Sequence, residues 1–257
     1  MFEWLQSDPK GFLLFMLYRA PAVLFAISMH EFAHGFAAYK SGDPTAKIHG
    51  RLSLNPIKHM DALGTLFLFL FGFGWAKPVP VNPNNFRNKK RDDIIVSLAG
   101  ITVNFVLFFI SMLLSVLIGK ALYQNPFDSN EVYNFFLNAQ NDGFFVQLMP
   151  DYHNVLEPML KTPWLLHIQR VLLHSVLINI GLCLFNLLPL PPLDGFHVLN
   201  QLVFKGKIYL GGQLFRFFQG ALFALMFFTD FISKAISQAM YFVQGNVLWL
   251  LLKIFGI

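Results

Sequence analysis

Residues 30–34 read His-Glu-Phe-Ala-His. On an α-helix His30 and His34 stand one turn apart on one face, a spacing that lets both imidazoles hold one zinc ion, while Glu31 can exchange protons with a water on that metal. A catalytic zinc needs a third protein ligand and an open position for water. The best candidate is Asp194, in FNLLPLPPLDGFHVL (residues 185–199), where Pro189, Pro191 and Pro192 interrupt an apolar run. Proline frees backbone carbonyls, which a bilayer tolerates only where protein or a water-filled cavity satisfies them, so Asp194 in such a break can point inward. Standing alone, Asp-Gly is an ordinary turn. His197, His174, His167 and Glu157 compete as third ligand, with Glu131 the remaining downstream glutamate.

The elements that must position these groups are membrane helices. Of 257 residues, 55% are hydrophobic and 13% charged, more apolar surface than a soluble domain of this size can bury. Spans are expected at about 11–39, 93–119, 168–190, 208–229 and 233–254, on the hydropathy of those stretches. A sixth stretch, ALGTLFLFLFGFGWA (62–76), is shorter than a straight span and carries three glycines, so it is expected to re-enter rather than cross. The fold class expected is therefore an all-α integral membrane protein of about five to six transmembrane helices with a short re-entrant or extended membrane-associated segment. The chain reads as one domain, 1–257, with a core at about 11–200 and C-terminal helices at about 208–254.

Charge sets the orientation. Lys40, Lys47, Arg51 and Lys58 precede the short stretch, and Lys77, Arg87, Lys89, Lys90 and Arg91 follow it; if it dips in and returns, both basic loops are cytoplasmic together with Lys205 and Lys207. The loop 120–167, with Asp128, Glu131, Asp142, Asp151 and Glu157, is then outside, the N-terminus outside and the C-terminus cytoplasmic. Within that loop 131–149 reads as an amphipathic helix on the outer leaflet or as plain loop. His49 and His59 are expected at the interface, and Trp75, Trp164 and Trp249 in the headgroup belt. Cys183, the single cysteine, rules out an intrachain disulfide and reads as a buried, inert thiol. The formal charge of +5 is accounted for by these loops, so nothing calls for nucleic acid. No removable signal peptide is read at the N-terminus.

An uncompensated ionisable residue in a membrane helix costs about 2.5–3.5 kcal/mol on insertion scales. Three within one turn need partners, and a metal supplies them. GRLSLNP (50–56) alternates polar and apolar residues, and KPVPVNP (77–83) is too rich in proline for anything but extended chain or an edge strand.

Taken together, HEFAHGFAAYKSGDPTAK, GRLSLNP, KPVPVNP, SLAGITVNF (97–105) and the pattern N-x-x-P-x-P-x-x-D-G from Asn186 to Gly195 resemble the site-2 protease family of intramembrane zinc metalloproteases, over about residues 20–200. The resemblance implies one zinc per chain, held by His30, His34 and Asp194, and Glu31 as catalytic acid and base. It further implies that Asn186 contacts substrate or steadies the oxyanion and that GRLSLNP pairs with substrate backbone. Transmembrane proteins in the lipid bilayer are then the substrates, cut within or near their spans in regulated intramembrane proteolysis, and the setting is a bacterial inner membrane. Two departures stand out: the 120–167 loop is too short for the PDZ module of many bacterial relatives, and Ile101 stands where the family often has proline after SLAG. Asn104 is either a polar contact near the site or a helix–helix hydrogen bond. The alternative reading is a metal transporter or a non-catalytic zinc-binding membrane protein, because polar ligands in spans also mark ion pathways.

Overall fold

The computed structural model describes residues 2–71, 75–124, 129–208 and 211–256. In chain order the helices are α1 (Phe2–Ser7), α2 (Pro9–Lys40), α3 (Thr45–Ile48), α4 (Ala62–Phe71), α5 (Lys89–Leu122), α6 (Asn130–Leu137), α7 (Asp142–Leu148), α8 (His153–Leu156), α9 (Leu165–Leu187), α10 (Asp194–Leu202), α11 (Gly212–Phe228) and α12 (Phe231–Phe255). Four of them, α2, α5, α9 and α12, are long and apolar enough to cross a membrane. Two of them start with a side-chain cap: Asp8 accepts the Gly11 N–H ahead of α2, and Asn88 accepts the Arg91 N–H ahead of α5.

α2, α5 and α9 pack together and α12 closes the bundle. Phe15, Phe108, Met112, Leu173, Val176, Ile180 and Leu248 are buried between them. Polar side chains are also sequestered: Asn104, Ser115, Gln169 and Asn179 are each 0% exposed. In a bilayer, where apolar burial does not drive helix association, such hydrogen-bonding groups hold helices together.

The 131–149 region folds as two short helices, α6 and α7, which turn apolar side chains onto the bundle while Phe135 and Phe145 stay exposed. Tyr133, Phe136, Phe144 and Leu148 join the main core, and Arg170 donates to the carbonyls of Gln147 and Met149 beneath this cap. Asp128 lies outside the described residues. His59, expected at the interface, is instead fully buried, with Nε2 donating to the Ser53 carbonyl at 2.6 Å.

The 62–76 stretch returns to where it began. α4 has 10 residues, about 15 Å of helix, and beyond residues 72–74, which lie outside the description, Ala76 pairs antiparallel with Met60 while Lys77 N–H donates to the His59 carbonyl. Both ends of the stretch therefore meet on one side, as a re-entrant hairpin requires.

α11 covers most of the expected 208–229 span, and described segments on either side of it lie at the HEFAH end of the bundle: Asn200 of α10 pairs with both backbone groups of Ile208 before it, and Ile232 after it packs with Leu193 and Leu222. α12 then runs to the far end, where the Lys120 ammonium at the close of α5 lies 5.6 Å from the Phe255 ring centroid. The start of α2 is at that same end, with Tyr18 bonded to His167 near the start of α9. The start of α2 and the end of α12 thus share one end of the bundle.

Candidate metal centre

His30 and His34 project from α2 about 15 and 9 Å before its C-terminal end. Their Nε2 atoms are 3.0 Å apart, and Asp194 Oδ2, at the start of α10, lies 3.3 Å from each. Four ligands at about 2.0–2.2 Å around a tetrahedral zinc sit roughly 3.3–3.5 Å from one another, so this triangle has the size of one tetrahedral face. Asp194 Oδ2 is also buried without a hydrogen-bond partner. A buried carboxylate oxygen left so is costly, and two imidazoles and a carboxylate form a donor set that suits zinc. The residues present fit the metal.

Both imidazoles are held in one tautomer by groups behind them. His34 Nδ1 is 2.7 Å from the Val96 carbonyl; a carbonyl only accepts, so Nδ1 carries the proton and Nε2 keeps its lone pair for a metal. His30 Nδ1 is 2.6 Å from Asn104 Oδ1. The orientation of that amide follows from two carbonyl contacts. Asn179 Nδ2 donates to the Ser175 carbonyl at 2.9 Å, which turns Asn179 Oδ1 toward Asn104. Asn104 Nδ2 donates to that oxygen at 2.8 Å and faces the Ala26 carbonyl at 3.4 Å, which leaves its Oδ1 to accept from His30. Partners of this kind fix ring orientation and raise ligand basicity. Asn104 is therefore both a helix–helix link and a contact of the site, while Asn179 went unrecognised in the sequence because its helix reads simply as a span.

α5 lies against the two rings through Gly100. A Cβ there would sit 2.4 Å from His34 Nε2 and 2.5 Å from His30 Cε1, so only glycine allows this approach. The SLAG motif is part of α5 and not a loop, and its glycine has its role whether or not proline follows.

Asp194 reaches the histidines because α9 stops at Leu187 and the Pro-rich turn, which contains a cis Pro191–Pro192 bond, feeds directly into α10. Gln201 of α10 donates to Asp93 of α5 at 2.7 Å, holding the short helix against the bundle. The other candidate ligands are elsewhere. His174 is buried against the Phe15 ring, His167 is bonded to Tyr18, Glu157 lies in the far-end cap, and His197 stands next to Phe196 on α10. Among the described residues, the His30, His34 and Asp194 group alone has metal-binding geometry. Asn186 is on the last turn of α9, its Nδ2 donating to the Leu182 carbonyl at 3.0 Å, and none of its described bonds reaches the triangle.

Glu31 points to the side of α2 that faces the hairpin. Its Oε2 accepts the Val79 N–H at 2.7 Å, a contact between HEFAH and KPVPVNP that sequence spacing does not reveal. Residues 50–56 lie alongside, joined to this segment by Arg51 Nη2 donating to the Lys77 carbonyl at 2.6 Å.

Comparison with known proteins agrees with this geometry. The model of peptidase family M50 matches residues 18–229, from the third turn of α2 to the end of α11. The chain is 35% identical over 194 residues, 76% of its length and 73% of the other's, to a Bacillus subtilis (strain 168) protein named "Putative zinc metalloprotease YwhC". No solved structure matches it. A helix that carries HEFAH, met by an aspartate from a distant Pro-rich turn and matched along most of the bundle, identifies this chain as a member of peptidase family M50, the site-2 protease family of intramembrane zinc metalloproteases.

Proposed function

We propose that His30, His34 and Asp194 hold a single zinc ion and that Glu31 is the acid and base of peptide-bond hydrolysis within or beside the transmembrane segments of membrane proteins. The observation that carries this reading is the donor triangle with edges of 3.0 and 3.3 Å, flanked by the carboxylate next in sequence to His30. Bound there, zinc supplies Lewis acidity toward water and the scissile carbonyl. Glu31 takes the proton from the attacking water and delivers it to the leaving amine. Asn186, eight residues before Asp194 at the end of α9, is assigned to contact the substrate or steady the oxyanion, for which its amide has to leave the Leu182 carbonyl.

A substrate helix hides its carbonyls in internal hydrogen bonds and has to open before attack. Residues 50–56 are the segment assigned to hold it open: among the described residues the amides of Leu52 and Leu54 have no hydrogen-bond partner, and free backbone donors of this kind pair with an extended chain. Because Lys40, Lys47, Arg51, Lys58, Lys77, Lys89 and Lys90 gather near the HEFAH end, that end faces the cytoplasm of a bacterial inner membrane and both chain termini lie outside. Cleavage is then near the cytoplasmic leaflet. The transporter reading is not favoured, since the metal-ligating groups form one cluster at one end of the bundle, with neutral amides and hydroxyls behind it.

The test compares membrane proteomes of cells carrying the wild type or Glu31→Gln. Single-span proteins should accumulate uncut in the variant while its zinc content stays at one per chain. Identical proteomes with zinc retained would count against the protease assignment of these residues.

A further inference from the structure

We infer that the segment 77–82 is a fixed strap whose Val79 amide positions Glu31, and that Asp43 anchors this strap to the end of α2; the inference rests on the reading of Glu31 given above. Pro78 and Pro80 have no N–H, so Val79 carries the one backbone donor of residues 78–80. That donor is spent on Glu31 Oε2 at 2.7 Å. The neighbouring donors hold the strap in place. Lys77 N–H goes to the His59 carbonyl at 2.9 Å and Asn82 N–H to Asp43 Oδ2 at 2.7 Å.

Asp43 is 0% exposed and also accepts from Thr45 N–H, Thr45 Oγ1 and Asn85 Nδ2 at 3.1, 2.5 and 2.7 Å. A buried carboxylate needs this many donors, and meeting that need ties the chain after Asn82 to the turn after α2. Gly42 makes the turn, with φ of +108° and the Asn85 carbonyl 3.0 Å from where a Cβ would be. The strap's side chains add to the fit: Val79 is 8% exposed and lies over Gly35 of α2.

Two consequences follow. One carboxylate oxygen of Glu31 is fixed by a rigid backbone group, which restricts the rotation of a flexible side chain and leaves Oε1 for proton transfer. With prolines at 78 and 80, and with the Lys77, Val79 and Asn82 donors already spent, the strap leaves the Val81 N–H as its one backbone donor for a substrate strand, so its main service is to Glu31.

The test replaces the Val79 amide by an ester, introducing α-hydroxyvaline by nonsense suppression, so that the N–H is lost and the side chain kept. Purified protein is assayed on a transmembrane peptide substrate, with zinc content measured in parallel. The ester should lower kcat by about 10- to 100-fold, keep KM within about twofold of wild type and retain one zinc per chain. Val79→Ala, which keeps the N–H, should lose less than the ester, and Asp43→Ala should lower kcat in the same sense with KM unchanged. An ester enzyme with wild-type kcat overturns the inference, as does a raised KM at constant kcat, which would make the strap a substrate contact. Equal losses in the ester and the alanine variant would assign the effect to packing and overturn it too; an unchanged kcat in Asp43→Ala removes the anchor. Glu31→Gln run alongside separates the two readings: if it cleaves normally the functional assignment fails, and if it is inactive while the ester is unimpaired only the strap's role fails.

Discussion

Asn104 is the residue whose replacement should most cleanly separate metal affinity from fold. It is fully buried between α2, α5 and α9, accepts from His30 Nδ1 at 2.6 Å and donates to Asn179 Oδ1 at 2.8 Å. Asn104→Leu has similar volume but leaves the His30 N–H without an acceptor and Asn179 Oδ1 without a donor. Each buried orphan costs about 1–3 kcal/mol. The part that falls on zinc is the orientation and tautomer of His30, for which loss of a supporting partner typically costs about 10–100-fold in affinity, or about 1.4–2.7 kcal/mol. Asn104→Asp keeps an acceptor for His30 and should hold zinc more tightly than the leucine variant, although it loses the donor to Asn179. Asn179→Leu acts only through Asn104 and should be milder than Asn104→Leu. The assay is zinc competition against a chelator of known affinity on detergent-purified protein, with helicity by circular dichroism as a control. A leucine variant that is folded and binds zinc as tightly as wild type would refute the network argument, and so would an Asn179→Leu effect larger than that of Asn104→Leu.

Asp194→Ala should abolish stoichiometric zinc while Glu157→Ala leaves it intact, since Glu157 belongs to the far-end cap; metal analysis of both proteins decides it. Gly100→Ala should weaken zinc binding by on the order of tenfold or more, because a Cβ 2.4–2.7 Å from ring atoms of His30 and His34 has to displace them; this holds although alanine favours helix by about 1 kcal/mol, so thermal melting of the zinc-free protein should change less than affinity does. Reporters fused to either chain end should report the same side of the membrane. Opposite sides would contradict the shared position of the start of α2 and the end of α12 at one end of the bundle.

What the sequence determines here is local. The HEFAH spacing is a property of one helix, so the pair His30 and His34 and the adjacent Glu31 are legible from a five-residue window, and the length and apolarity of α2, α5, α9 and α12 follow from what a bilayer demands of any span. Even the return of the 62–76 stretch is readable, because too few residues are available to cross and the basic charges on both flanks favour one side. The resemblance of Asn186–Gly195 to a family motif points to Asp194, yet the side chains alone leave His197, His174, His167 and Glu157 in contention. Only packing brings an oxygen from α10 to 3.3 Å from both imidazoles.

Tertiary structure also decides what long apolar segments cannot encode one at a time. The 208–229 stretch reads as a span from its apolarity, but only packing shows that Asn200 fixes Ile208 on one side of it and Leu193 receives Ile232 on the other, which sets the direction in which α12 runs. Asn179 becomes part of the metal centre through a bond to a residue 75 positions away, and Val79 meets Glu31 across 48. Hydropathy and helical period act within a turn or a span; hydrogen bonds between helices depend on which faces meet, and that is settled only when the whole bundle packs.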